Sequence, residues 1–131
     1  MKLVPVTEQN ADILFHWLQE RTPLESISFR MPTLEEHINF VKSKPYKKWY
    51  IINEYGDNGV IYLTHNNEIG IFITKKSRCL GLATKAIQLL MVEDPKIKYL
   101  ANINPNNYYL KMLFAKLGFK LLQETWELKF G

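Results

Sequence analysis

The hydrophobic positions change their period along the chain, and each change marks an element. Residues 2–6 read as a short strand. Thr7 follows as an N-cap to residues 8–20, where Ile13, Leu14, Trp17 and Leu18 recur at helical spacing. Residues 21–31 carry no period and read as irregular. Thr33-Leu34-Glu35-Glu36 has the form of a capping box, and Leu34, Ile38 and Val41 continue that helix until Pro45 stops it. From Lys48 the pattern is aromatic and β-branched, with a strand at Trp49-Tyr50-Ile51-Ile52. The turn signal Gly56-Asp57-Asn58-Gly59 follows it, then strands at 60–64 and 68–74 joined by His65-Asn66-Asn67. This is an antiparallel meander. Beyond it the pattern predicts a helix over 82–93, a strand over 99–104 and a helix over 107–117 capped by Gly118. Strands over 119–123 and 125–130 close the chain. The predicted order is βααβββαβαββ, an α/β fold with a twisted mixed sheet and helices on both faces.

Composition narrows the class. The 131 residues fit one compact domain, 1–131, and a 47% hydrophobic share supplies a sizeable core, which excludes disorder. No apolar stretch approaches the roughly 20 residues of a membrane span. The first residues lack the apolar core of a signal peptide, so neither membrane nor export is expected. A single cysteine, Cys79, leaves no internal disulfide and no multi-cysteine zinc site; no metal is expected, and the cytoplasm is the expected compartment. The net charge of +4 is modest, but Lys75, Lys76, Arg78 and Lys85 crowd one turn, which suits an anionic ligand.

That turn, Arg78-Cys79-Leu80-Gly81-Leu82-Ala83-Thr84, leads from a strand into a helix. A helix start offers unpaired backbone N–H groups and the positive end of the helix dipole, and Gly81 and Ala83 keep side chains small where a ligand approaches. A diphosphate fits this chemistry. The turn lacks the second glycine and Lys-Ser/Thr pair of a P-loop, and it lacks the three glycines of the dinucleotide fingerprint.

Arg78-x-x-Gly81-x-Ala83 resembles the acetyl-CoA pyrophosphate loop of the GNAT superfamily of N-acetyltransferases. A second stretch, Ile103-Asn104-Pro105-Asn106-Asn107 followed by Phe114-Ala115-Lys116-Leu117-Gly118-Phe119, is similar to a later motif of that superfamily. Leu14-Phe15-His16-Trp17-Leu18 and Thr33-Leu34-Glu35-Glu36-His37 resemble its branch acting on amino-sugars or ribosomal-protein N-termini. The likeness spans nearly the whole chain, strongly over 68–119. It implies a splay between the fourth strand, 68–74, and the fifth, 99–104, in which the pantetheine arm of acetyl-CoA pairs like an extra strand. It places Ile71, Ile73, Asn104, Asn107 and Phe114 along that arm, with Arg78, Cys79, Gly81, Ala83 and Thr84 around the diphosphate.

Acetyl transfer to an amine needs a base for the amine and a proton for the departing thiolate. Glu68 matches the place of a catalytic glutamate in several members of the superfamily. His65, three residues earlier, is a second candidate base, and His37 a third that also suits a substrate contact. Phe114 stands where many members carry the tyrosine that protonates the sulfur. Tyr108, Tyr109 or water must then serve instead. Leu110 likewise departs from the small residue the superfamily often shows there.

Residues 21–31, including Arg21, Glu25, Ser28 and Arg30, and the loop 44–48 are the expected acceptor site, for a small-molecule or peptide amine such as an amino-sugar. Two rival functions stand beside the enzyme: a catalytically idle acyl-CoA-binding domain, motivated by the missing tyrosine, and a basic nucleic-acid-binding module. The second would use Lys42, Lys44, Lys47 and Lys48 among Tyr46, Trp49 and Tyr50. It is the weaker, because Trp49 and Tyr50 open a core strand. Trp126 and Phe130 on the final strand are candidates either for the core or for contact with a second copy in a homodimer.

Overall fold

The computed structural model describes residues 1–20 and 31–131. Four strands, β1 (Lys2–Pro5), β2 (Lys48–Asn53), β3 (Asp57–Leu63) and β4 (Ile69–Ile73), form an antiparallel sheet in the order β1-β2-β3-β4. Helices α1 (Ala11–Leu18) and α2 (Leu34–Lys42) lie between β1 and β2 in the chain. Helices α3 (Leu82–Glu93) and α4 (Tyr108–Lys116) follow the sheet.

The alternation along each strand divides the interior in two. Ile52, Ile61, Leu63 and Ile69 face α3 and α4, packing on Ala83, Ala86, Ile87, Leu90, Leu113 and Phe114. Ile51 and Phe72 face the opposite way, onto Ala11, Leu14 and Trp17 of α1 and Val41 of α2. Helices therefore cover both faces, as the periodicity predicts. Ile52, Ile61, Leu63, Ile87 and Leu90 are fully buried, and each such side chain stabilises the fold by about 2 kcal/mol relative to exposure.

Local chemistry sets the element ends. The Glu36 amide donates to Thr33 Oγ1 at 3.1 Å and the Thr33 amide to Glu36 Oε1 at 2.9 Å, the reciprocal capping box expected from the sequence. The first helix begins as a 3-10 turn over Glu8–Asn10, where the Thr7 amide donates to Asn10 Oδ1 at 2.8 Å. The turn expected over 56–59 sits earlier, at Tyr55 and Gly56, both with positive φ, and β3 starts at Asp57. Gly59 is thus a strand residue. A Cβ there would lie 2.0 Å from the Phe72 carbonyl oxygen, so glycine is what lets β3 and β4 close up.

Three predicted strands form no ladder. Residues 99–104 make one parallel bridge, Glu68↔Leu100, and stop. Residues 119–123 and 125–130 make none. Their alternating patterns are those of strands, but a strand needs an edge to pair with, and from residue 120 onward the chain stays exposed. No helix among the described residues is long and apolar enough to cross a membrane.

Candidate active site

The outer edge of β4 is where the chain's chemistry gathers. The Thr64 amide donates to the Glu68 carbonyl at 2.9 Å and the Thr74 amide to the Asn58 carbonyl at 2.8 Å, so the alternating ladder turns the backbones of Gly70 and Phe72 towards β3 and those of Ile69, Ile71 and Ile73 the other way. The Ile69 amide donates to the Leu100 carbonyl at 2.8 Å, and the Leu100 amide to the Asn67 carbonyl at 2.9 Å. No further backbone hydrogen bond joins β4 to 101–104 among the described residues. The side chains of Ile71 and Ile73 pack half-buried on the core while their backbones face outward. The Ile73 carbonyl accepts from Arg78 Nε at 3.0 Å.

Glu68 stands at the joint. Its carboxylate accepts from Thr64 Oγ1 at 3.0 Å and from the Asn102 amide nitrogen, so it ties the β3–β4 turn to the 99–103 segment. Asn102 is a partner that sequence reasoning missed; only the parallel bridge brings it there, and no local signal announces it. His65 is an exposed turn residue next to this joint in the chain.

Beyond β4 the chain makes a 3-10 turn, Lys75–Ser77, rather than running straight into the loop. Ser77 is buried, and Asn58 Nδ2 donates to its Oγ at 3.2 Å, which fixes the turn against β3. Arg78 is then extended, with its guanidinium carbon 5.7 Å from the centre of the Phe72 ring. Cys79 (φ 66) and Gly81 (φ 73) are both left-handed, and Gly81 is the N-cap of α3. Chain neighbours aside, no atom of the described residues lies within 4 Å of where a Gly81 Cβ would sit. Glycine is therefore demanded by the backbone angle, and the space beside it is open. The first intrahelical bond is Lys85 N to Gly81 O at 3.4 Å, leaving the amides of Leu82, Ala83 and Thr84 without intrahelical partners. Lys75, Lys76, Arg78 and Lys85 are all exposed around this turn.

On the far side of the edge, Asn104 Oδ1 accepts from the Asn106 amide at 2.9 Å, and Asn107 Oδ1 caps α4 by accepting from the Leu110 amide at 3.1 Å. Tyr108 opens α4, exposed, with Lys111 Nζ 5.5 Å from its ring centre. Phe114 is buried edge-to-face on Phe119, with ring centroids 4.9 Å apart. His37 lies apart from this group, buried on α2 with its ring 5.6 Å from that of Phe15 and its Nε2 without a hydrogen-bond partner among the described residues. Burial lowers its pKa, which favours neutral imidazole. Arg30, with Arg21, Glu25 and Ser28, lies outside the described residues. The aromatic run near the lysines is turned onto itself: Tyr46 stacks on Tyr62 at 3.9 Å and meets Trp49 edge-on at 5.0 Å.

The chain as a whole superposes on solved structures of known proteins. The fold is that of the GNAT acetyltransferases. An acetyltransferase from Thermus thermophilus superposes with a TM-score of 0.75 at 19% identity, over 94% of this chain and 88% of that one. A GNAT superfamily phosphinothricin acetyltransferase from Sinorhizobium meliloti, in complex with acetyl-CoA, gives 0.73 at 15%, over 93% and 76%. A ribosomal-protein-alanine N-acetyltransferase from Brucella melitensis gives 0.69 at 14%, over 92% and 85%. No protein-family profile matches the sequence, and no curated protein matches it significantly. The GNAT fold is thus carried here by a sequence far from those of its structural neighbours.

Proposed function

We propose that this protein is an acyl-CoA-dependent N-acetyltransferase, moving an acetyl group from acetyl-CoA to an amine by direct attack. The observation that carries this is the outward-facing backbone of Ile71 and Ile73, beside the open, glycine-entered start of α3. Pantetheine contains amides that can pair with such an edge as a strand does, and a diphosphate suits the free amides of Leu82, Ala83 and Thr84. Cys79 and Gly81 shape the turn through their left-handed backbones, and Arg78 with the neighbouring lysines adds charge. The GNAT-fold enzyme crystallised with acetyl-CoA supports this co-substrate. Asn104 and Asn107 border the arm from the other side, and Phe114 packs behind them.

In the reaction the amine nitrogen forms a bond to the acetyl carbon, the carbon–sulfur bond breaks, the nitrogen sheds a proton and the thiolate gains one. Glu68 takes the amine proton, directly or through water; its oxygens keep lone pairs beyond the bonds from Thr64 and Asn102. His65 is the alternative base. Tyr108 is the candidate acid, with water as the other source. The acceptor is a small polar amine, such as an amino-sugar, or a peptide amine, with Arg30 and neutral His37 as the residues expected to contact it. The chain acts as one domain in the cytoplasm, where Cys79 stays reduced.

Thiol release from acetyl-CoA, measured against a panel of amino-sugars, polyamines and peptide N-termini, tests the proposal. At least one amine should raise release well above the amine-free rate. A second reading, a catalytically idle acyl-CoA-binding domain, is favoured by the buried Phe114 in place of a proton-donating tyrosine. Calorimetric binding of acetyl-CoA with no amine-dependent release would establish it, and failure to bind acetyl-CoA would sink both.

A further inference from the structure

Gly70 makes room for a side chain of the neighbouring strand. It pairs with Tyr62 of β3, which pairs in turn with Trp49 of β2, so the three form one row across the sheet. A Cβ at Gly70 would stand 2.0 Å from Tyr62 Cζ and 2.3 Å from its hydroxyl oxygen. The phenol therefore lies across β4, and glycine is what gives it that path. Tyr46 stacks on the same ring, with centroids 3.9 Å apart and planes 8° from parallel, and pins it there. No hydrogen bond among the described residues engages the Tyr62 hydroxyl. It keeps its lone pairs for something else.

The alternation of the strands brings two more polar groups to the same place. Trp49, Val60 and Phe72 pack on the α1–α2 side, so Gly70 and Glu68, at even steps from Phe72, face that side too. Tyr99, Ala101 and Ile103 pack on the α3–α4 side, which turns Asn102 the other way, towards Glu68. Asn102 donates to Glu68 Oε2, and Thr64 Oγ1 donates to Oε1 at 3.0 Å, so the carboxylate is held at both oxygens. Glu68 and Gly70 are two residues apart along the strand, about 7 Å. One nitrogen donating to two oxygens at about 2.9 Å each needs those oxygens roughly 5 Å apart. The carboxylate and the hydroxyl over Gly70 are separated on that scale.

The bond from the Ile69 amide to the Leu100 carbonyl closes the β4 edge just before Gly70, so an acyl group carried along Ile73 and Ile71 ends beside it. We infer that Tyr62 and Glu68 together hold the acceptor nitrogen there and so select a primary amine. The neutral nitrogen donates one N–H to the carboxylate and the other to the phenol oxygen, which leaves its lone pair for the acetyl carbon. As the carbon–nitrogen bond forms and the carbon–sulfur bond breaks, the first proton passes to Glu68. The second stays on the nitrogen of the amide product, still bonded to Tyr62. A secondary amine has a single N–H and sets an alkyl group against the Tyr62 oxygen, which is then left unpaired. A site built to bond an N–H rejects the analogue that lacks it. The role rests on the acetyl-transfer reading.

A primary amine found reactive in the thiol-release assay is compared with its N-methyl counterpart. The native protein should prefer the primary amine by about tenfold or more in kcat/KM. Tyr62→Phe keeps the ring and its stack on Tyr46. It should lower kcat/KM about tenfold for the primary amine and spare the N-methyl amine within about twofold, with acetyl-CoA affinity and the melting temperature unchanged. Gly70→Ala, whose methyl group takes the place of the ring, should shrink the preference in the same way. Equal losses on both amines would show a structural role for Tyr62 and overturn the inference. So would an unchanged preference in Tyr62→Phe, or a native protein indifferent to N-methylation. Acetyl-CoA binding with no reactive amine, or no binding at all, would instead remove the acetyl-transfer reading, and the inference with it.

Discussion

Replacing Gly81 by alanine separates what the turn does for the fold from what it does for a ligand. At φ 73 and ψ 12 an alanine is left-handed, which costs about 1–2 kcal/mol. Among the described residues nothing within 4 Å would meet the new methyl group, so they add no steric cost. At about 4 °C per kcal/mol the melting temperature should fall by roughly 4–8 °C. Gly118→Ala is the matched control: φ is 98, and the space beside it is equally open. It should destabilise to a similar degree. If the open side of Gly81 is where the diphosphate lies, the methyl also pushes on the ligand, and calorimetry should show acetyl-CoA binding weakened about tenfold or more, some 1.4 kcal/mol. Gly118→Ala should leave that affinity within about twofold, about 0.4 kcal/mol. Equal affinities for the two variants would refute the placement of the diphosphate, even if both melted early as expected.

Glu68→Gln keeps the shape of the clamp but not its basicity. With a reactive amine identified, kcat/KM should drop by about 10²–10⁴-fold at neutral pH while acetyl-CoA affinity holds; an unchanged rate assigns the base elsewhere. His37 is buried with its pKa lowered by desolvation, so below its ordinary 6.5 the unfolded chain takes up a proton more readily than the folded one. Stability should therefore be full above that pH and decline as pH falls below it. His37→Phe should flatten that decline in urea titrations, and an identical slope would contradict a neutral buried imidazole. Tyr50 donates to Asp94 Oδ2 at 3.0 Å, and burial first, then that carboxylate, pushes its pKa to about 12. Its stabilisation should be whole below pH 10 and lost as pH climbs towards 12. Tyr50→Phe should remove the latest-ionising part of the tyrosinate absorbance rise; retention of that part would place the late phenol elsewhere.

Where local chemistry decides an element, it is legible in the sequence. The Thr33–Glu36 box is local, and so is the helical period of 82–93, which matches the span of α3. The meander of three strands is legible because hairpin partners are neighbours in the chain. What does not read through is decided by contacts distant in sequence. Gly59 looks like a turn residue and is a strand residue, because the reason for it is the Phe72 carbonyl across the ladder. The strands expected over 99–104, 119–123 and 125–130 form no ladder, because a pattern names a face to bury and not the edge that receives it. Asn102 acquires meaning only through the bridge that sets it against Glu68.

The sheet that parts the interior has a consequence for how such a protein can be changed. α1 and α2 rest on Ile51 and Phe72, whereas α3 and α4 rest on Ile52, Ile61, Leu63 and Ile69. Substitutions on the two sides share no core partners, so their effects on stability should add rather than interfere. Selection or a designed library can therefore rework the α1–α2 side while the turn into α3 and the core beneath it stay as they are. Modularity of this kind gives a small scaffold room to take on new chemistry one face at a time.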